Sequence, residues 1–225
     1  MAAEWDIRRA TLDLLRQRWG EDTECLIVEE LGTHFGSSRI DVAVVNGALH
    51  GYEIKSSADN LDRLPAQVKA FDEVFDFLTL VVAGRHLRTS LAFLPPSWGV
   101  IEACDEISGV QLRRHRSPDR NDQLNPRAIA GLLWRDELLS ILEDRGSDKG
   151  VRAASRAALI DRVVGALLID DLSRVVRETI RARRSWRVGP PRTPDGATSP
   201  SAHTWSGFLG RRLEPRRPSS TDRRR

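Results

Sequence analysis

Lysine is nearly missing from this chain. Of its 35 basic residues only Lys55, Lys69 and Lys149 are lysines. Where arginine is the default cation, a lysine marks a position that needs a compact point charge with an adjustable pKa. Cysteine is also scarce. Cys25 and Cys104 fall in apparent strands without metal-ligand spacing, which predicts reduced, buried thiols and argues against a disulfide framework or a zinc site. No apolar run approaches the roughly 18 residues of a membrane span, and the N-terminus lacks the apolar core of a signal peptide. A cytoplasmic, non-membrane protein is expected. No serine, cysteine or histidine constellation suggests a hydrolase with a covalent nucleophile.

The net charge of +3 over 225 residues hides an asymmetry. Residues 183–225 carry eleven arginines against Asp195, Glu214 and Asp222, a surplus of +8, which leaves residues 1–182 at −5. The basic character belongs to the C-terminal stretch and says little about the globular part. That stretch holds six of the eleven prolines and clustered arginines, so it is expected to be a disordered tail. Arg211, Arg212, Arg216 and Arg217 would add salt-sensitive phosphate contacts, and Trp186, Trp205 and Phe208 are candidates for stacking on bases.

The organising stretch is Arg39–Ser56, two β-branched runs joined at Asn46-Gly47, a strong hairpin signal. Asp41, Glu53 and Lys55 interrupt otherwise core-like strands, so their burial must be compensated, most simply by a divalent metal. Strand alternation puts Glu53 and Lys55 on one face. Asp41 joins them only if the connecting loop has an odd number of residues or a strand bulges. A three-residue loop, Val45-Asn46-Gly47 with Gly47 left-handed, is the expected solution.

Asp41, then Glu53-Ile54-Lys55, then Gln67 on the next helix, resembles the PD-(D/E)XK nuclease superfamily, and in particular a small bacterial and phage-borne branch of it. An Arg-Ile-Asp strand, a Gly-Tyr-Glu-Ile-Lys strand, a leucine-rich turn at 61–65 and a Phe-Asp-x-x-x-Leu-Val-Val run follow in that order. The likeness covers residues 4–116 well and continues loosely to about 182. It departs from the usual pattern in two places: Ile40 precedes Asp41 instead of proline, and Phe71 takes the place of the helix tyrosine. The resemblance implies that Asp41, Glu53 and the backbone carbonyl of Ile54 hold Mg²⁺ or Mn²⁺. It implies further that Lys55 orients water or stabilises the phosphate, and that Gln67 fixes the water or a DNA phosphate. Glu30, at the end of the first strand, and Glu4, in the first helix, are possible additional acids; Glu4 is equally explained by the helix dipole.

Along the rest of the chain, apolar spacing predicts a helix over 4–19 and a strand over 25–30, followed by a Gly-rich turn over 32–38. A helix runs from Pro65 to about Asp76, and a buried central strand over 77–83. A short helix or turn spans 86–94, and two strands follow over 98–103 and 107–114. His34 reads as solvated, and His86 as structural or surface. After a polar linker, Asn125-Pro126 starts a helix whose apolar face runs to Leu142 and which Gly146 ends. Two more helices cover about 152–168 and 171–184. The fold class is therefore α/β: a restriction-endonuclease-like mixed sheet flanked by helices over 1–116, a small helical module over 117–182, and the tail from 183. The module either touches DNA or a protein partner, or packs on the sheet. A homodimer is left open. The expected function is metal-dependent hydrolysis of phosphodiester bonds in DNA in a phage or mobile-element setting. The alternative is a catalytically inactive nuclease-fold module that binds nucleic acid or a partner.

Overall fold

The computed structural model describes residues 3–183. Six strands, β1 (Leu26–Thr33), β2 (Ser38–Val45), β3 (Leu49–Lys55), β4 (Phe77–Ala83), β5 (Gly99–Glu106) and β6 (Gly109–Arg116), form one sheet in sequence order. The β1–β2, β2–β3 and β5–β6 pairs are antiparallel, whereas β3–β4 and β4–β5 are parallel. Parallel neighbours need crossovers. Helix α2 (Leu64–Asp72) supplies the first and α3 (Gly84–Phe93) the second. This is the mixed α/β sheet flanked by helices that the sequence predicts.

The sheet is covered on both faces. Helix α1 (Glu4–Trp19) buries Ile7, Leu12 and Leu15 against Val42, Val44, Tyr52, Ile54, Val81 and Ile101. The opposite face presents Ala43, Val45, Leu49, Leu78, Leu80 and Val82 to α2 and to the C-terminal helices α4 (Pro126–Ala130), α5 (Arg135–Asp144), α6 (Arg156–Ala166) and α7 (Ile169–Ala182). Those helices share one continuous hydrophobic core with the sheet, through Leu133, Leu138, Leu159, Val163, Leu172 and Val176. Among the described residues no helix is long and apolar enough to cross a membrane.

Several elements differ from the sequence reading. β1 extends through Gly32 and Thr33, so the expected Gly-rich turn shrinks to a 3-10 turn at His34–Gly36. Helix α2 ends at Asp72, short of Asp76. The helix expected from Pro126 to Leu142 breaks into α4 and α5. Arg156 crosses from α6 to donate to the carbonyls of Gly131 and Leu133, satisfying groups freed at that break. Cys25 and Cys104 are free thiols, as expected, but only half-buried. Cys25 precedes β1 instead of lying within it. The tail residues Trp186, Trp205, Phe208, Arg211, Arg212, Arg216 and Arg217 lie outside the described residues.

Candidate active site

The β2–β3 hairpin sets the geometry. Val45 pairs with Leu49 and Val42 with Tyr52, so the loop is the three residues Asn46, Gly47 and Ala48. The odd loop expected from the sequence is present, displaced by one residue. Gly47 is not left-handed. Asn46 closes the turn instead: its backbone N–H donates to the Ala48 carbonyl at 3.0 Å, and its side-chain oxygen accepts the Ala48 N–H at 2.9 Å. One step beyond the Val42–Tyr52 pair, this register sets Asp41 opposite Glu53.

At that point the ladder opens. On the β1 side Glu30 faces Asp41 in a left-handed conformation (φ 58°), which a side chain adopts at a cost and which interrupts regular pairing. On the β3 side the Asp41 carboxylate replaces a backbone acceptor, with Oδ2 taking the Ile54 N–H at 2.7 Å. The carboxylate thus turns into the seam between β2 and β3. The N–H and C=O of one strand residue point toward the same neighbour, so the Ile54 carbonyl faces this seam as well.

Glu53 sits on the α2 side with 2% of its surface exposed. Its Oε1 accepts from Lys55 Nζ at 2.7 Å and from Gln67 Nε2 at 2.6 Å. Its Oε2 is buried without a partner, as is Gln67 Oε1. Burial first, then the neighbouring Asp41 carboxylate, push the Glu53 carboxyl up to about 8 against the pull of Lys55 and Gln67. Burial likewise raises Asp41, opposed by Arg8 and the Ile54 N–H. Lys55, unlike the exposed Lys69 and Lys149, is largely enclosed. Phe71, where a tyrosine was the looked-for residue, is fully buried and packs edge-on against Phe75.

Glu53, Lys55 and Gln67 are therefore in direct contact, and Asp41 adjoins them across the splayed strands. The two additional acids also reach Asp41, but through an intermediary that the sequence reading missed. Arg8, on α1, donates to Asp41 Oδ1 at 2.8 Å and to the Asp41 carbonyl at 3.2 Å. It also pairs with Glu4 at 3.0 Å and Glu30 at 2.7 Å. Arg39 holds the other Glu30 oxygen at 2.5 Å. The one available signal for Arg8 was its spacing of four residues from Glu4 on a helix.

The remaining candidates are structural. His86 is buried and bonds the Asp59 carbonyl at 3.0 Å. His34 is half-buried, not solvated, and contacts Glu73 at 3.2 Å. Among the described residues no group of three or more His, Cys, Asp or Glu side chains is arranged to hold a metal ion. A cation here would rely on Asp41, Glu53 and neutral oxygens. The unpartnered Glu53 Oε2, with Asp41 and the Ile54 carbonyl, would make an all-oxygen donor set that suits a hard divalent ion, and the unpartnered Gln67 Oε1 adds a neutral acceptor beside Glu53.

Fold and site together define an α/β protein whose polar centre lies at a splayed hairpin. The family described as Bacteriophage P4 protein cII matches residues 1–187, and the chain belongs to that family. Protein cII of Enterobacteria phage P4 is 29% identical over 143 residues, covering 64% of this chain and 54% of the phage protein. The chain thus spans about half the length of the curated relative it matches. No solved structure matches.

Proposed function

We propose that the chain is a metal-dependent nuclease of the PD-(D/E)XK type that hydrolyses phosphodiester bonds in DNA. The observation that carries this reading is the buried, unpartnered Glu53 Oε2 beside Lys55 and Gln67, with Asp41 opposite on the neighbouring strand. An acceptor buried without a donor costs free energy unless something positive is brought to it. The succession of one helix, three antiparallel strands, a helix and a parallel strand supports the same reading.

Asp41, Glu53 and the Ile54 carbonyl would hold Mg²⁺ or Mn²⁺. Such an ion supplies Lewis acidity that acidifies water and offsets charge growing on the phosphate. The chain's own groups do the rest. Lys55 places a compact ammonium where the attacking water and the anionic phosphate oxygens meet. Gln67 fixes the Glu53 carboxylate through Nε2 and leaves Oε1 free to orient a water. Purified wild type and Lys55→Ala are compared on linear, circular, single-stranded and branched DNA with Mg²⁺ and Mn²⁺. Metal-dependent cleavage by the wild type alone is expected; equal activity in both would end the proposal.

A second reading is a catalytically inactive module that binds nucleic acid or a protein partner. The observation favouring it is Arg8, which already neutralises Asp41. Its signature is weak metal affinity, with salt-dependent DNA binding that survives Asp41→Asn and fails on deletion of residues 183–225.

A further inference from the structure

Both terminal nitrogens of Arg8 are committed. Nη1 donates to Glu30 and to the Asp41 carbonyl, and Nη2 to Glu4 and the Asp41 carboxylate. The Arg8 side chain is only 8% exposed and Asp41 18%, whereas Glu4 and Glu30 open to solvent, so the guanidinium is enclosed between one largely buried carboxylate and two at the surface. Glu4 and Glu30, the acids available for a second metal ion, are thereby turned toward a guanidinium. The open acceptors, Glu53 Oε2 and Gln67 Oε1, lie on the other side of Asp41.

Charge accounting leads to the same division. Four carboxylates (Glu4, Glu30, Asp41, Glu53) face three cations (Arg8, Arg39, Lys55), leaving −1 when all are ionised. One divalent ion turns this to +1, the complement of a single phosphodiester. A second would leave +3 and would have to displace Arg8 from an enclosed position.

We infer that Arg8 stands in for a second cation and restricts the centre to one divalent ion, seated on the Glu53 side of Asp41. This rests on the metal-centre reading above, and the test separates the two. Mn²⁺ bound per chain is counted by calorimetric titration and by electron paramagnetic resonance of free Mn²⁺. The proteins are the full-length wild type, Arg8→Gln, Arg8→Lys and Glu30→Gln. The expected result is one ion for wild type, Arg8→Lys and Glu30→Gln, and two for Arg8→Gln, with the second lost again in Arg8→Gln/Glu30→Gln.

Wild type binding two ions, or a folded Arg8→Gln still binding one, overturns the inference and leaves the metal centre intact. Wild type binding none while Arg8→Gln binds one supports Arg8 as a resident cation but removes the nuclease reading. No binding in either removes both. Should Arg8→Gln fail to fold, Glu30→Gln decides. Unchanged Mn²⁺ affinity supports the inference, because this carboxylate then serves Arg8 and Arg39. A tenfold or greater weakening, as expected of a lost metal ligand, overturns it.

Discussion

Gln67 Nε2 lies 2.6 Å from Glu53 Oε1, the same oxygen that Lys55 Nζ reaches at 2.7 Å. One carboxylate oxygen thus takes two donors while its twin has none, which gives the group a direction: Oε2 is the end left for a ligand.

From this asymmetry, Lys55 and Gln67 should fail differently. Lys55→Ala removes the charge nearest the proposed phosphate, and its DNA cleavage rate should fall by about 100-fold or more. Its stability at neutral pH should change by less than about 1.5 kcal/mol, because the Glu53 carboxyl, raised to about 8, already holds a proton there and does not depend on the ammonium to offset its charge. Gln67→Ala removes the support of Glu53 and a neutral acceptor for water but no charge, and should cost roughly tenfold. Cleavage rates under Mg²⁺ with parallel urea denaturation check both. Equal losses in the two variants would mean that Lys55 acts only by holding Glu53.

The raised Glu53 carboxyl predicts an unusual pH dependence. Its folded pKa of about 8 exceeds the ordinary 4.5, so between these values the folded state binds the proton that the unfolded state has released. Stability therefore falls as pH rises through this window, by on the order of a few kcal/mol, and Asp41, also raised, adds to it with the same sign. Melting temperatures in EDTA from pH 5 to 8.5 should decline for the wild type and flatten in Glu53→Gln. Mg²⁺ should lessen the decline, since metal binding displaces the proton and strengthens with pH. A wild-type profile as flat as that of Glu53→Gln would show that Glu53 ionises normally in the fold.

Much of this centre was legible in the sequence because it depends on parity. Glu53 and Lys55 alternate along one strand, and an odd loop is the simple way to bring Asp41 to them. Which odd loop was less legible. Val45-Asn46-Gly47 and Asn46-Gly47-Ala48 are both three-residue turns, and the choice rests on the Asn46 side chain bonding the Ala48 N–H, which glycine-based turn rules do not weigh. Arg8 was hidden for a different reason. It belongs to a helix on the other face of the sheet and reaches Asp41 beside the left-handed Glu30, where regular pairing is interrupted. The break between α4 and α5 was equally invisible, since the apolar spacing from Ile129 to Leu142 continues across it and Arg156 comes from a later helix.

Gly51 tests how closely α2 is held over the centre. A Cβ at this position would come within 2.9 Å of Leu78 Cδ2 and 3.1 Å of the Phe75 ring. Both neighbours are buried and cannot retreat freely. Gly51→Ala should cost about 1–3 kcal/mol by overpacking. The displaced Phe75 should also loosen the Gln67–Glu53 contact, so metal affinity should fall although no ligand is altered. Denaturation and Mn²⁺ titration of this variant measure the two effects. A stability loss with metal affinity unchanged would show that α2 is positioned by other contacts.

Asp76 decides where β3 begins, and with it the register that sets Asp41 against Glu53. Its Oδ2 accepts the N–H of Leu49, the first residue of β3, at 2.8 Å, and Arg177 of α7 lies 3.7 Å from the same oxygen. Asp76 and Leu49 are both buried, so water cannot replace the acceptor. Asp76→Ala leaves the Leu49 N–H unsatisfied and Arg177 without its partner, and should cost about 3 kcal/mol. Asp76→Asn keeps an oxygen for the Leu49 N–H and loses only the charge, for a cost nearer 1 kcal/mol. In Arg177→Met the ion pair to α7 is gone and only the exposed Arg120, 3.8 Å from Oδ1, still faces the carboxylate, so the Asn substitution should cost little while the Ala substitution still destabilises. Urea denaturation of the two double-mutant cycles separates the contributions. If Asn and Ala cost the same in the wild-type background, the ion pair to α7 and not the bond to Leu49 is what Asp76 provides, and the start of β3 is fixed by the Asn46 turn alone.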